Sequence, residues 1–171
     1  MRRAACALAL AALSAACSVP PSITDTGYVG TWARGNDRVR SVVSIARGEG
    51  DRWYFRWTKM SDRGTLAIRC PWEGVCEERL NDETIATHAF RIWQDPDSGH
   101  LMVEGTEKRL KPDKVDIHFV DELVVVDGGK TLWSYTLERD GQRFEGAGRP
   151  QRSLTKVSDS VGVRPHGAVA P

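Results

Sequence analysis

The side chains of this sequence that could do acid–base, nucleophilic or metal chemistry are spaced so that none of these chemistries is assembled. General acid–base work needs titratable groups that converge in a cleft. The carboxylates come instead as adjacent pairs, Glu77-Glu78, Asp82-Glu83 and Asp121-Glu122, placed near expected turns where such groups are ordinarily solvated. No G-x-S-x-G elbow raises a serine nucleophile, and no glycine-rich loop leads into a helix that would hold a phosphate. Metal sites need ligands at fixed spacing, and Cys70 and Cys76 are accompanied by no C-x-x-C or H-x-x-x-H run. His88 shares a face with Ala86, Phe90 and Ile92 and is expected inside, as a satisfied core residue or as part of a cavity wall. His118 falls on a polar face with Asp116. No catalytic residue, metal or cofactor is expected, and the chain is read as non-enzymatic.

Aromatic residues are the stronger signal. Six tryptophans in 171 residues suit a ligand pocket as well as a packed core, because large rings line both. The elements that must position them are strands. Trp53, Phe55 and Trp57 alternate with Arg52, Tyr54, Arg56 and Thr58, the period of two that marks a half-buried strand. The same alternation recurs at Val39–Ile45, Leu66–Cys70, Ile85–Trp93, Leu101–Val103, Val115–Phe119 and Trp133–Leu137, with a further strand around Leu123–Val126. Turn chemistry such as Asp95-Pro96-Asp97-Ser98-Gly99, Asp127-Gly128-Gly129 and Asp140-Gly141 separates them, and no stretch carries a helical period. This pattern predicts an all-β, antiparallel up-and-down meander of about eight to ten strands that closes into a barrel, since closure removes exposed strand edges.

The first residues read as an export leader. Arg2 and Arg3 precede an apolar run from Ala4 to Leu13, and small residues follow up to Cys17. Leu13-Ser14-Ala15-Ala16-Cys17 resembles the lipobox of bacterial lipoproteins, whose cysteine is acylated and becomes the mature N-terminus. The resemblance implies a signal peptide over residues 1–16, lipidation such as palmitate at Cys17, and a cell-envelope protein anchored to the membrane and facing the periplasm. Ser14 occupies the place where lipoboxes usually carry a large aliphatic residue, so plain secretory cleavage after Ala16 is the alternative. Once Cys6 leaves with the leader, Cys17, Cys70 and Cys76 are odd in number in an oxidising compartment, and acylation of Cys17 leaves Cys70 and Cys76 to form a disulfide.

Residues 17–27, with Pro20 and Pro21, suit a spacer that lifts a domain off a lipid surface. The barrel is assigned to residues 28–148. Residues 149–171, rich in Pro, Gly, Ser and Arg, are read as a disordered tail. The formal charge of +1 gives no reason to expect nucleic acid as a partner. Arginines concentrated in the first half, Arg34, Arg40, Arg47 and Arg56 among them, fit attraction to anionic lipid or glycan and equally a solvated strand face.

Gly30-Thr31-Trp32 resembles the Gly-X-Trp signature on the first strand of lipocalins and related calycin barrels. There the tryptophan packs across the closed end of the barrel, and an arginine near the end of the last strand covers it. The resemblance implies barrel closure at Trp32, with Arg139 as the covering arginine and Arg149 as a weaker candidate. The Thr-Asp-Tyr-like triplet of lipocalins is not evident. Within such a barrel, Phe55, Trp57, His88, Phe90, Trp133 and Tyr135 are the candidates for lining a ligand cavity. Trp72, between the two paired cysteines, is expected to pack over the barrel mouth or to serve as a contact for a partner. Two functions follow: a barrel that binds a small apolar or amphipathic ligand, or a solid barrel whose surface docks or inhibits an envelope enzyme or assembly complex.

Overall fold

A computed structural model describes residues 27–35, 39–61, 65–144 and 152–161. Its elements are strands: β1 (Gly30–Gly35), β2 (Val39–Arg47), β3 (Trp53–Ser61), β4 (Leu66–Arg69), β5 (Val75–Leu80), β6 (Glu83–Gln94), β7 (Leu101–Arg109), β8 (Val115–Val126), β9 (Thr131–Arg139), β10 (Gln142–Arg143) and β11 (Arg152–Ser158). Neighbours from β1 to β9 pair antiparallel in sequence order, and β11 lies between β9 and β1. Ten strands therefore close a lipocalin-like meander, with β10 a short extra strand beside the end of β9. Every wall strand has a partner on both sides, which removes the edges that an open meander would expose.

Turn chemistry works as the sequence pattern requires. Asn81 and Asp82 both take positive φ and join β5 to β6 in two residues, a turn whose twist matches that of the strands. Gly30 has a φ of 141°, and a Cβ there would fall 2.6 Å from the carbonyl oxygen of Ser158. The glycine of the Gly-X-Trp triplet thus lets β11 approach β1 where their register shifts, between Thr31 and Trp32.

Three strand assignments are corrected. The segment assigned to a disordered tail contains β11, which closes the barrel, so the domain runs at least ten residues past its expected end at 148. Only Leu154 supplies a large buried apolar side chain in β11, and Lys156 takes an inward position. Its pattern therefore lacks the hydrophobic alternation that marks a strand in sequence. The expected strands at Val115–Phe119 and Leu123–Val126 are one strand, β8, that runs straight through Asp121-Glu122. And β5, whose inward positions hold Cys76 and Glu78, went unpredicted for the same reason as β11.

The densest packing lies at one end. Trp32 is 0% exposed and sits among Ile45, Trp53, Leu101 and Leu132. Its indole Nε1 donates to the Tyr28 carbonyl at 2.9 Å, and the Tyr28 hydroxyl donates to the Leu123 carbonyl at 3.0 Å. The buried polar ends of both rings are satisfied, as burial requires. The cation over Trp32 is Lys156, 5.3 Å from the ring centroid. Arg139 does not cover Trp32. A one-residue bulge between β8 and β9 sets Arg139 opposite Phe119 on the other half of the barrel. Arg149, the expected lipidation site Cys17, the expected leader and most of the expected spacer lie outside the described residues.

Candidate functional site

Inward positions above the packed end enclose a cavity of about 300 Å³. Its floor is Val43, Val103, Leu123, Leu132 and Leu154, the upper layer of the core. One wall is aromatic: Phe55 and Trp57 from β3, His88 and Phe90 from β6, and Phe119 from β8. These rings meet edge to face, Phe55 and Phe90 with centroids 5.3 Å apart, Trp57 and Phe90 6.3 Å, Phe90 and Phe119 6.2 Å. Trp57 is oriented by its indole Nε1, which donates to Ser41 Oγ at 2.8 Å. The tip of the Phe119 ring lies over Gly105 of β7, where a Cβ would fall 2.3 Å from Cζ, so the glycine makes room for the ring against the barrel wall.

His88 is 3% exposed, and its Nε2 donates to Glu78 Oε2 at 3.1 Å. Its ring meets Trp57 edge-on at 5.6 Å and stacks on Phe90 at 6.1 Å. The hydrogen bond from His88 is the main cause that holds the Glu78 carboxyl below its ordinary value, against the opposing effect of burial. The satisfied core histidine and the cavity-lining histidine of the sequence reading are thus the same residue.

The opposite wall is polar. Asp121, on β8, is 5% exposed, receives hydrogen bonds from Thr136 Oγ1 at 2.6 Å and Ser134 Oγ at 3.3 Å, and lines the cavity with both. Burial pushes the Asp121 carboxyl up, opposed by the Thr136 bond and by the charges of Arg152 and Arg139. Sequence reasoning placed this carboxylate near a turn, in solvent. The signal available was its place two residues from both Phe119 and Leu123, on the same side of a strand as those apolar neighbours.

Above these walls the cavity opens among four arginines, Arg34 of β1, Arg109 of β7, Arg139 of β9 and Arg152 of β11. Arg109 Nε donates to Glu107 at 2.6 Å, which raises the Arg109 pKa further. Arg139 stands 4.0 Å from Asp140. Among the described residues, no carboxylate lies within ion-pair distance of Arg34 or Arg152.

Of the six residues proposed to line a cavity, Phe55, Trp57, His88 and Phe90 do so. Trp133 and Tyr135 do not. In β9 the inward positions are Leu132, Ser134 and Thr136, and the two aromatic rings pack against each other on the outer face, 6.2 Å apart. Large side chains suggested the inward stripe, but the smaller alternating residues hold it. Cys70 and Cys76 form the expected disulfide, and the bridge is buried with Ile68 behind Trp57 and Phe90. Trp72, in the loop the bridge closes, lies away from the mouth, against Ala46, Tyr54 and Val161, with Arg56 stacked 4.7 Å above its ring. His118 is on the outer face as expected, bonded to Glu104 at 3.0 Å. Among the described residues no cluster of three or more His, Cys, Asp or Glu side chains is placed to hold a metal ion.

The chain matches no known family model, no curated protein and no solved structure.

Proposed function

We propose that the barrel binds one small apolar or amphipathic molecule, without transforming it, as the soluble part of a lipid-anchored envelope protein. The observation that carries the reading is the cavity of about 300 Å³ with a contiguous aromatic wall. That volume is at the small end of ligand pockets, and moving an apolar group from water onto such a wall is favourable by roughly 25 cal/mol per Å² buried. A solid barrel that acts only through its outer surface has no need of this space. The envelope setting rests on Leu13–Cys17 and on the Cys70–Cys76 disulfide, which suits an oxidising compartment.

Native mass spectrometry of the protein purified from its own envelope tests the reading. Retention of a reproducible non-covalent adduct is the expected result. A clean apo mass, with a lipid extract that gives no rise in unfolding temperature, moves the function to a protein partner. The same spectrum reads the anchor, because acylation at Cys17 adds the mass of its acyl groups to a chain that begins at that residue.

A further inference from the structure

The geometry points to an anionic amphiphile as the ligand, held tail-first against the aromatic wall with its carboxylate or phosphate headgroup at an arc formed by Arg34, Arg139 and Arg152. This rests on the barrel being a binding site, and specifies what it binds and in which orientation.

Three observations carry it. The first is placement. Arg139, Arg152 and Arg34 come from β9, β11 and β1, which are adjacent in the wall, so the three guanidiniums share one side of the mouth. All three residues are exposed, while the floor beneath is apolar and buried. The second is charge. Four arginines and two carboxylates line the cavity, and Glu107 is already engaged by Arg109. Among the described residues the arc therefore faces two carboxylates, Asp121, which already accepts from Ser134 and Thr136, and Asp140, 4.0 Å from Arg139, and it keeps an excess of positive charge. A cationic ligand that sought Asp121 would pass three arginines to reach it. Guanidinium groups match carboxylate and phosphate oxygens with paired N–H donors, and such charge-assisted bonds are the stronger kind. The third is volume. At roughly 30 Å³ for each water-sized group, about 300 Å³ admits on the order of ten non-hydrogen atoms, enough for a medium-length tail with the headgroup left at the mouth.

The test is calorimetric titration of the exported full-length protein with four ten-carbon probes below their micellar concentrations: decanoate, decyl phosphate, decanol and decyltrimethylammonium. The expected result is that one or both anions bind about tenfold more tightly than decanol and the cation, with an advantage that shrinks as salt is added. Which anion binds more tightly identifies the headgroup as carboxylate or phosphate. Arg139→Gln combined with Arg152→Gln, two exposed positions, should erase the advantage, so that the anions and decanol bind the variant about equally. Decanol binding as tightly as both anions, the cation binding most tightly, or an anionic preference that survives the double substitution would each overturn the assignment while leaving the barrel a binding site. Binding by none of the four would overturn the binding reading itself, and the assignment with it.

Discussion

At the packed end of the barrel the inward positions of β1, β2, β3, β7 and β9 hold Trp32, Ile45, Trp53, Leu101 and Leu132. One or two alternations along the same strands they hold Arg34, Ser41, Phe55, Gly105 and Ser134. Both ends use the same pairing, the same period and nearly the same circumference. They differ in the volume and polarity of what points inward. Large, buried apolar groups on these five strands fill the first end. In the second, Ser134 and Thr136 of β9 face the rings of β3 and β6 across a gap, and Gly105 of β7 lies beneath the Phe119 ring. A barrel of this size does not dictate a cavity; the inward side chains decide whether it has one.

The largest effect that could break this contrast is at Trp32. Trp32→Ala should cost about 3–5 kcal/mol, because the ring is wholly enclosed and its neighbours can collapse only in part. Phe55→Ala, at a ring that already borders open space, should cost on the order of 1–2 kcal/mol and weaken ligand binding instead. Thermal unfolding followed by circular dichroism compares the two. Equal losses would mean that the upper half of the barrel is packed as tightly as the lower.

An intermediate effect belongs to the disulfide. It joins residues six apart, across the turn from β4, the shortest strand of the closed wall, to β5, so its removal by Cys70→Ala with Cys76→Ala should cost about 2 kcal/mol from loop entropy. Because the bridge backs Trp57 and Phe90, hydrogen exchange should rise first in β4 and β5 and leave β1, β2 and β9 protected. Uniform loss of protection would place the bridge in the global core instead of the cavity wall.

The contrast also explains what was legible in the sequence. Strands whose inward positions are large and apolar, such as β3 and β6, announce themselves by period two, and four cavity residues were found on them. Strands whose inward positions are polar do not. Asp121 interrupts the apolar run of β8, Cys76 and Glu78 occupy the inside of β5, and Lys156 reaches over the Trp32 ring from β11. The misplacement of Trp133 and Tyr135 has the mirror cause, since large rings stand outside while Ser134 and Thr136 face in. Half of the site, its polar wall and arginine mouth, is therefore the half that hydrophobic periodicity cannot see, because periodicity reads burial through apolar residues alone.

The smallest effect concerns that polar wall. Burial is the leading cause that raises the Asp121 carboxyl above its ordinary 3.8 in the folded protein. A group with a raised folded pKa takes up its proton more readily when folded. Its charge is therefore a cost to stability above the folded pKa, and the cost disappears as the pH falls below the unfolded value. Asp121→Asn keeps an acceptor for Thr136 Oγ1 and removes the charge, so it should raise stability at pH 7 by about 1 kcal/mol, roughly 3 °C in unfolding temperature. Near pH 3.5 the variant and the parent should unfold together. The same substitution leaves the arginine arc without one of the two carboxylates that face it, so binding of a ten-carbon anion should tighten while that of decanol stays the same. A variant less stable than the parent at pH 7 would show that the Thr136 and Ser134 hydrogen bonds, with the field of Arg139 and Arg152, outweigh the desolvation of Asp121. The hollow end would then be held together by its charges and not merely lined by them.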